Sequence, residues 1–309
     1  MSLLHTLNAI EVLDSANASG QTVVELLSHY PQAEVTVSEI IGPKGKTDFV
    51  KVVIPGTVGK RHGGQAPTLG IIGRLGGIGA RPGRIGLVSD GDGAVAAVAA
   101  AMKLAKMQTL GDSLPGDVIV CTHICPDAPT RPHEPVDFMD SPVETEDMNE
   151  QEVSPEMDAV LSIDTTKGNR VINHKGFALS PTVKEGYILR VAEDLLRIME
   201  MTTGRLPMTF PITTQDITPY GNDVFHINSI LQPSIATSAP VVGVAITTES
   251  TVPGCGTGAS HEVDIADAVR FVVEVAKEFT RGACHFYNVD EYQRLLSLYG
   301  SLAHLQQRQ

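Results

Sequence analysis

Apolar residues recur at helical spacing from Leu3 to Leu13, and a Ser19-Gly20 turn leads into a second short helical stretch, residues 21–30. Residues 34–41 and 49–54 instead alternate or cluster β-branched side chains and predict strands. A Gly-rich tract follows from Pro55 to Gly86, with residues 68–72 as a short buried strand inside it and 85–88 as another. Residues 93–107 form a very Ala-rich helical stretch, entered through Ser89-Asp-Gly-Asp-Gly93. Residues 117–122 are a continuous apolar run of the kind buried on both faces of a parallel sheet. Residues 159–163 repeat that pattern and end at Asp164. Further on, the pattern predicts a long amphipathic helix over 183–200, a strand over 208–212 and a helix over 223–231. A strand over 241–247, a helix over 264–280 and a last helical segment from Val289 complete the chain. Strands alternating with helices predict an α/β fold: a mixed, mostly parallel central sheet with helices on both faces. No repeat or Pro/Ser-rich linker divides residues 1–309, which read as a single domain with an acidic loop at about 133–158.

Composition narrows the picture. The 309 residues are 42% hydrophobic with a mean hydropathy of +0.04, which suits a soluble globular protein with a sizeable core. No apolar stretch approaches the roughly 20 residues of a membrane span, and the first residues lack a basic segment followed by an apolar one. Four cysteines make no disulfide framework in so long a chain, so a cytoplasmic location is expected. The net charge of −13 disfavours nucleic acid, which needs a basic face. Ten carboxylates crowd between Glu134 and Asp158 with no Lys or Arg among them, leaving the rest nearly neutral. Such a block is expected to be a solvated loop.

In open α/β sheets, functional residues gather at the carboxyl ends of strands. Asp90 and Asp92 follow the run at 85–88, while His123, Cys125 and Asp127 follow that at 117–122. Asp164 follows 159–163, and His261 comes after 241–247 past another Gly-rich loop. An Asp at a helix start is commonly a cap, but carboxylates and imidazoles converging on one sheet edge also suit a divalent metal such as zinc.

At these positions the chain resembles the co-catalytic zinc exopeptidases and their amidohydrolase relatives. Ala16-Asn-Ala-Ser-Gly-Gln-Thr-Val-Val-Glu-Leu-Leu27 is similar to their Ser-Gly-x-Glu helix, and Val88-Ser-Asp-Gly-Asp-Gly93 to their Asp-x-x-Gly helix start. Gly116-Asp-Val-Ile-Val-Cys-Thr122 and Leu161-Ser-Ile-Asp-Thr165 resemble two of their core strands. Gly221-Asn-Asp-Val224 and Gly256-Thr-Gly-Ala-Ser-His-Glu262 resemble later site segments. The resemblance implies Asp90, Asp164 and His261 as metal ligands and Asp223 beside the ligand; read from the residues themselves, a single metal could instead be held by Asp90, His261 and either Asp164 or Asp127. It also implies hydrolysis of peptide or amide bonds in small substrates and assembly into a homo-oligomer.

Two departures stand out. The strand at 68–72 runs into Gly73-Arg74-Leu75-Gly76, where the family carries a ligand His followed by Asp. After Thr122 comes His123-Ile-Cys-Pro-Asp127 in place of paired glutamates, leaving Asp127 or His123 as the general base. The departures point to a separate bacterial family of this fold with a degenerate metal site. Arg74, Arg81 and Arg84 are cations beside that site, able to replace a metal charge or to bind a ligand carboxylate bidentately. Two functions are therefore expected: a hydrolase holding one divalent metal, zinc by preference, or a metal-poor binding protein for a small peptide or amino-acid-like ligand.

Overall fold

The computed structural model describes residues 1–252 and 256–306. In chain order the elements are α1 (Ser2–Leu13), α2 (Gly20–Leu27), β1 (Glu34–Gly42), β2 (Gly45–Ile54), β3 (Leu69–Gly73), α3 (Asp92–Thr109) and β4 (Val118–Ile124). Then follow β5 (Thr130–Arg131), β6 (Phe138–Met139), α4 (Thr145–Glu152), β7 (Ala159–Thr165), β8 (Gly176–Leu179), β9 (Val183–Lys184) and β10 (Tyr187–Ile188). The chain continues through α5 (Glu193–Thr203), β11 (Val241–Thr247), α6 (Glu262–Thr280) and α7 (Val289–Tyr299).

One mixed sheet runs β1-β2-β4-β3-β7-β11-β9-β10, with β8 pairing β11. Its four central strands, β4, β3, β7 and β11, are mutually parallel, and β2 joins them antiparallel. The α/β fold with a mixed sheet is thus the observed one. The central strands are buried along almost their whole length, which is why their sequences are unbroken Val/Ile/Leu runs.

On one face, α1, α3, α5 and α6 form a layer over the sheet. The second face is covered by Met157, Phe210, Ile217, Ile230 and Leu231 from loops and short turns, with Met148 of α4 packing on Phe49. Alanine dominates α3 because that helix is enclosed on nearly every side. A Cβ at Gly93 would lie 2.6 Å from the Arg74 carbonyl oxygen and 2.7 Å from that of Ile163. Only glycine lets the start of α3 sit that close to the ends of β3 and β7. In α6, Ile265, Val269, Val272 and Phe279 form the inward stripe, each contributing about 1.5–3 kcal/mol by burial.

Several expected elements take another form. Residues 85–88 are a turn, not a strand: Gly86 has φ 80°, Ile85 points outward and the Leu87 N–H donates to Asp14. The helix expected over 183–200 starts only at Glu193, because Glu185 and Gly186 adopt positive φ and fold the chain into the β9–β10 hairpin. Residues 208–212 add one bridge, Thr209 to Leu179, rather than a strand, since β8 already occupies that edge of β11. Residues 223–231 do not form a helix: Gly221 and Asp223 sit at positive φ, and a 3-10 turn over Ser229–Ile235 follows. The acidic stretch is not simply a solvated loop. It supplies β6, which pairs with β5 just before it, and α4, and buries Glu152 completely.

Candidate functional site

The parallel strands β3, β4 and β7 end together, and a cavity of about 430 Å³ opens there. Its wall takes Arg74, Leu75 and Gly77 from the loop after β3, Asp90 from the turn before α3 and His123 from the end of β4. The acidic segment supplies residues 138–145 and Met148, and the loop before the 3-10 turn supplies Tyr220, His226 and Ser229. A larger groove of about 900 Å³ beside Lys184, Thr237 and Gln306 gathers no cluster of fully buried ionisable groups among the described residues.

Arg74 is the residue next after β3 and is only 1% exposed. Its Nη1 donates to Glu152 Oε2 at 2.7 Å and, more weakly, to Asn149 Oδ1 at 3.4 Å, both on α4. The other Glu152 oxygen lies 2.9 Å from His123 Nδ1. His123 Nε2 accepts from the Gly76 N–H at 3.0 Å, so the imidazole proton resides on Nδ1 and is donated to Glu152. Both ring nitrogens of His123 are thereby engaged. Burial opposes ionisation of Glu152, but the Arg74 charge and the His123 bond outweigh it and hold its carboxyl below the ordinary value. The Arg74 Nε is buried and has no hydrogen-bond partner among the described residues. Next to it, Leu75 is held at φ 57°, a strained conformation for a branched side chain.

Asp164, the last residue but one of β7, sits in a different environment. It is 1% exposed; one oxygen accepts the Ser229 hydroxyl at 3.0 Å and the other the Thr165 N–H at 2.7 Å. Burial pushes its carboxyl up to about 7; the neutral donors and the Arg74 charge offset this only in part, and Glu152 adds to it. Ser229 carries this carboxyl's influence to the cavity wall. Beside it, Tyr220 packs on His226 with ring centroids 4.1 Å apart. Burial lowers the His226 imidazole, offset only in part by the Asp216 charge and a backbone hydrogen bond to Gln215. The loop is anchored beneath by Asp216, which accepts the Ile227 and Asn228 N–H groups at 2.8 Å each.

At the cavity mouth, Asp140 takes Arg131 in a two-bond fork at 2.9 and 2.7 Å and Lys44 at 2.8 Å. The Arg131 bonds hold the Asp140 carboxyl well below the usual carboxylate range. The acids that precede α3 divide their roles. Asp90 faces the cavity, with Oδ2 2.9 Å from where a Cβ on Gly77 would stand. Asp92 is fully buried and forms an ion pair with Lys167 at 2.8 Å, with the Ser260 hydroxyl donating to its other oxygen. It makes no side-chain cap to α3.

Of the residues singled out from the sequence, Arg74, Asp90 and His123 line the cavity, and Asp164 meets it through Ser229. Asp127 is exposed, with its carboxylate 4.0 Å from the Cys125 thiol and acting electrostatically on Lys46. Arg81 donates to the carbonyls of Pro126 and Asp14, and Arg84 and Asp223 are exposed. His261 is exposed and is the N-cap residue of α6. Among the described residues, no three His, Cys, Asp or Glu side chains group as metal ligands, so Asp90, Asp164 and His261 do not meet as such a set. Cys255 lies outside the described residues. Glu152, Asn149, Tyr220 and Ser229 enter the site without having been singled out. Glu152 was hidden among ten neighbouring acids, and no local spacing marks the others.

Fold and site together define an α/β protein with a charged cavity at the carboxyl edge of a mixed sheet, walled by a buried Arg–Glu–His cluster. The chain belongs to the protein of unknown function family DUF1177, whose family model matches residues 38–309. Comparison with curated proteins gives no match. No helix among the described residues is long and apolar enough to cross a membrane.

Proposed function

We propose that the cavity binds a small zwitterionic ligand, an amino acid or short peptide, with its carboxylate on Arg74 and its ammonium group toward Asp90. The observation that carries this reading is the Arg74 guanidinium. It is buried in the cavity wall, yet the ion pair with Glu152 engages only Nη1 and leaves Nε without a partner among the described residues. A buried donor left unbonded is costly, and a planar guanidinium edge is matched by a carboxylate accepting two parallel bonds. The cavity mixes cations (Lys44, Arg74, Arg131) with acids (Asp90, Asp140, Glu144), which suits a ligand carrying both signs. About 430 Å³ is within the range of small-ligand sites.

A thermal-shift panel of dipeptides, their N-acetylated forms and their C-terminal amides tests this. Ligand at about a hundredfold over Kd adds about 2.7 kcal/mol of stability, visible as a shift of a few degrees. Dipeptides with both termini free should give that shift and the blocked forms should not. Equal shifts from the C-terminal amides would refute the carboxylate contact.

A further inference from the structure

We infer that Ser229 and Asp164 form a nucleophile–base dyad that cleaves an amide or ester bond of the ligand held in the cavity, an inference that rests on the binding reading above. The Ser229 hydroxyl donates to Asp164 Oδ2 at 3.0 Å, within the reach needed for proton transfer. Ser229 lines the cavity, whereas Asp164 lies behind it with its second oxygen fixed by the Thr165 N–H. Nucleophile and base are therefore on opposite sides of a wall, with only the serine meeting the ligand. Ser229 opens the 3-10 turn just after Ile227 and Asn228, whose N–H groups are tied to buried Asp216, so the hydroxyl stands on an anchored base.

In the first step Ser229 Oγ attacks the ligand carbonyl carbon, forming a C–O bond, and its proton passes to Asp164. The C–N or C–O bond to the leaving group then breaks, and the leaving group takes a proton from a cavity water. In the second step the hydroxide so formed attacks the acyl-serine, the acyl C–O bond to Ser229 breaks, and Ser229 Oγ takes its proton back from Asp164, which exchanges protons with the serine alone. Tyr220, which burial keeps protonated, adjoins Ser229 and is the donor placed for the developing oxyanion. The groups facing Asp164 are Arg74, Glu152, Tyr220 and Ser229. A carboxyl raised to about 7 is a stronger base than an ordinary aspartate, so the first step should quicken as pH rises through 7.

The test treats the full chain with an alkyl fluorophosphonate, maps the adduct by peptide mass spectrometry, and follows 4-nitrophenyl acetate hydrolysis in parallel. The expected result is one adduct per chain on Ser229, formed faster as pH rises through 7. It should be absent in Ser229→Ala and at least tenfold slower in Asp164→Asn, and ester hydrolysis should fall likewise. Mapping in the wild type needs no variant to fold. No adduct on Ser229 together with no Ser229-dependent ester hydrolysis overturns the dyad, as does labelling that Asp164→Asn leaves unchanged. Dipeptide binding without an adduct removes the dyad and leaves the Arg74 reading standing. An adduct on Ser229 without dipeptide binding upholds the dyad and removes that reading.

Discussion

Glu152 and Asp164 are both fully buried carboxyls at the same cavity, yet their chemistry diverges. Glu152 faces a guanidinium at 2.7 Å and an imidazole N–H at 2.9 Å, and its carboxyl is held below its ordinary value. Among the described residues Asp164 has only a hydroxyl and a backbone N–H as direct partners, and burial carries it up to about 7. Equal burial with unequal partners separates a carboxylate held in its charged form from a group poised to exchange a proton.

The largest expected effect comes from breaking the charged side of this comparison. Glu152→Ala strands Arg74 in the interior, and loss of one partner of a buried pair costs about 3–5 kcal/mol. Denaturant unfolding should show that loss; a change below about 1 kcal/mol would mean that water or a rearranged Asn149 replaces the carboxylate.

The pH dependence should separate the two groups next. With its folded value depressed, Glu152 contributes stability that is present above about 4.5 and lost as pH falls below it. With its folded value raised from 3.8 to about 7, Asp164 contributes stability that is present below 3.8 and lost as pH rises through 7. The full span of that loss is on the order of 4 kcal/mol. Asp164→Asn should remove the decline between pH 4 and 7, and Glu152→Gln should flatten the acid limb instead. Parallel profiles for the two variants would show that the carboxyls titrate as one coupled unit.

A smaller effect is expected in the loop above them. His226→Ala removes an imidazole that packs on Tyr220 and faces the cavity, so dipeptide binding should weaken roughly tenfold, about 1.4 kcal/mol. Calorimetry would detect this, and unchanged affinity would place the ligand away from that wall. Least affected should be Asp127→Asn, an exposed change expected within about 0.5 kcal/mol and without effect on binding.

The sheet was readable in the sequence because its central strands are buried on both faces and announce themselves as apolar runs. The start of α3 was readable too, since small residues must stand where helix and strands nearly touch. The failures share a cause. Residues 183–200 and 223–231 have helical periodicity, but positive-φ turns at Glu185-Gly186 and at Gly221 and Asp223 override it locally. Glu152 could not be distinguished from the nine acids around it, because what buries it is Arg74, 78 residues away. Arg74 itself was conspicuous as a cation where a histidine was expected, and its structural partner explains how such a charge is tolerated. The pairing of Ser229 with Asp164 spans 65 residues and leaves no local trace.

The most direct test of the account is calorimetric titration of alanyl-alanine, and of its C-terminal amide, into wild type and Arg74→Lys, with circular dichroism confirming that the variant is folded. Lysine keeps the charge opposite Glu152 but lacks the planar fork. The account predicts binding of the free dipeptide to wild type, and at least tenfold weaker binding both by the amide to wild type and by the free dipeptide to the variant. Equal affinity of dipeptide and amide, or of wild type and Arg74→Lys for the dipeptide, would contradict it.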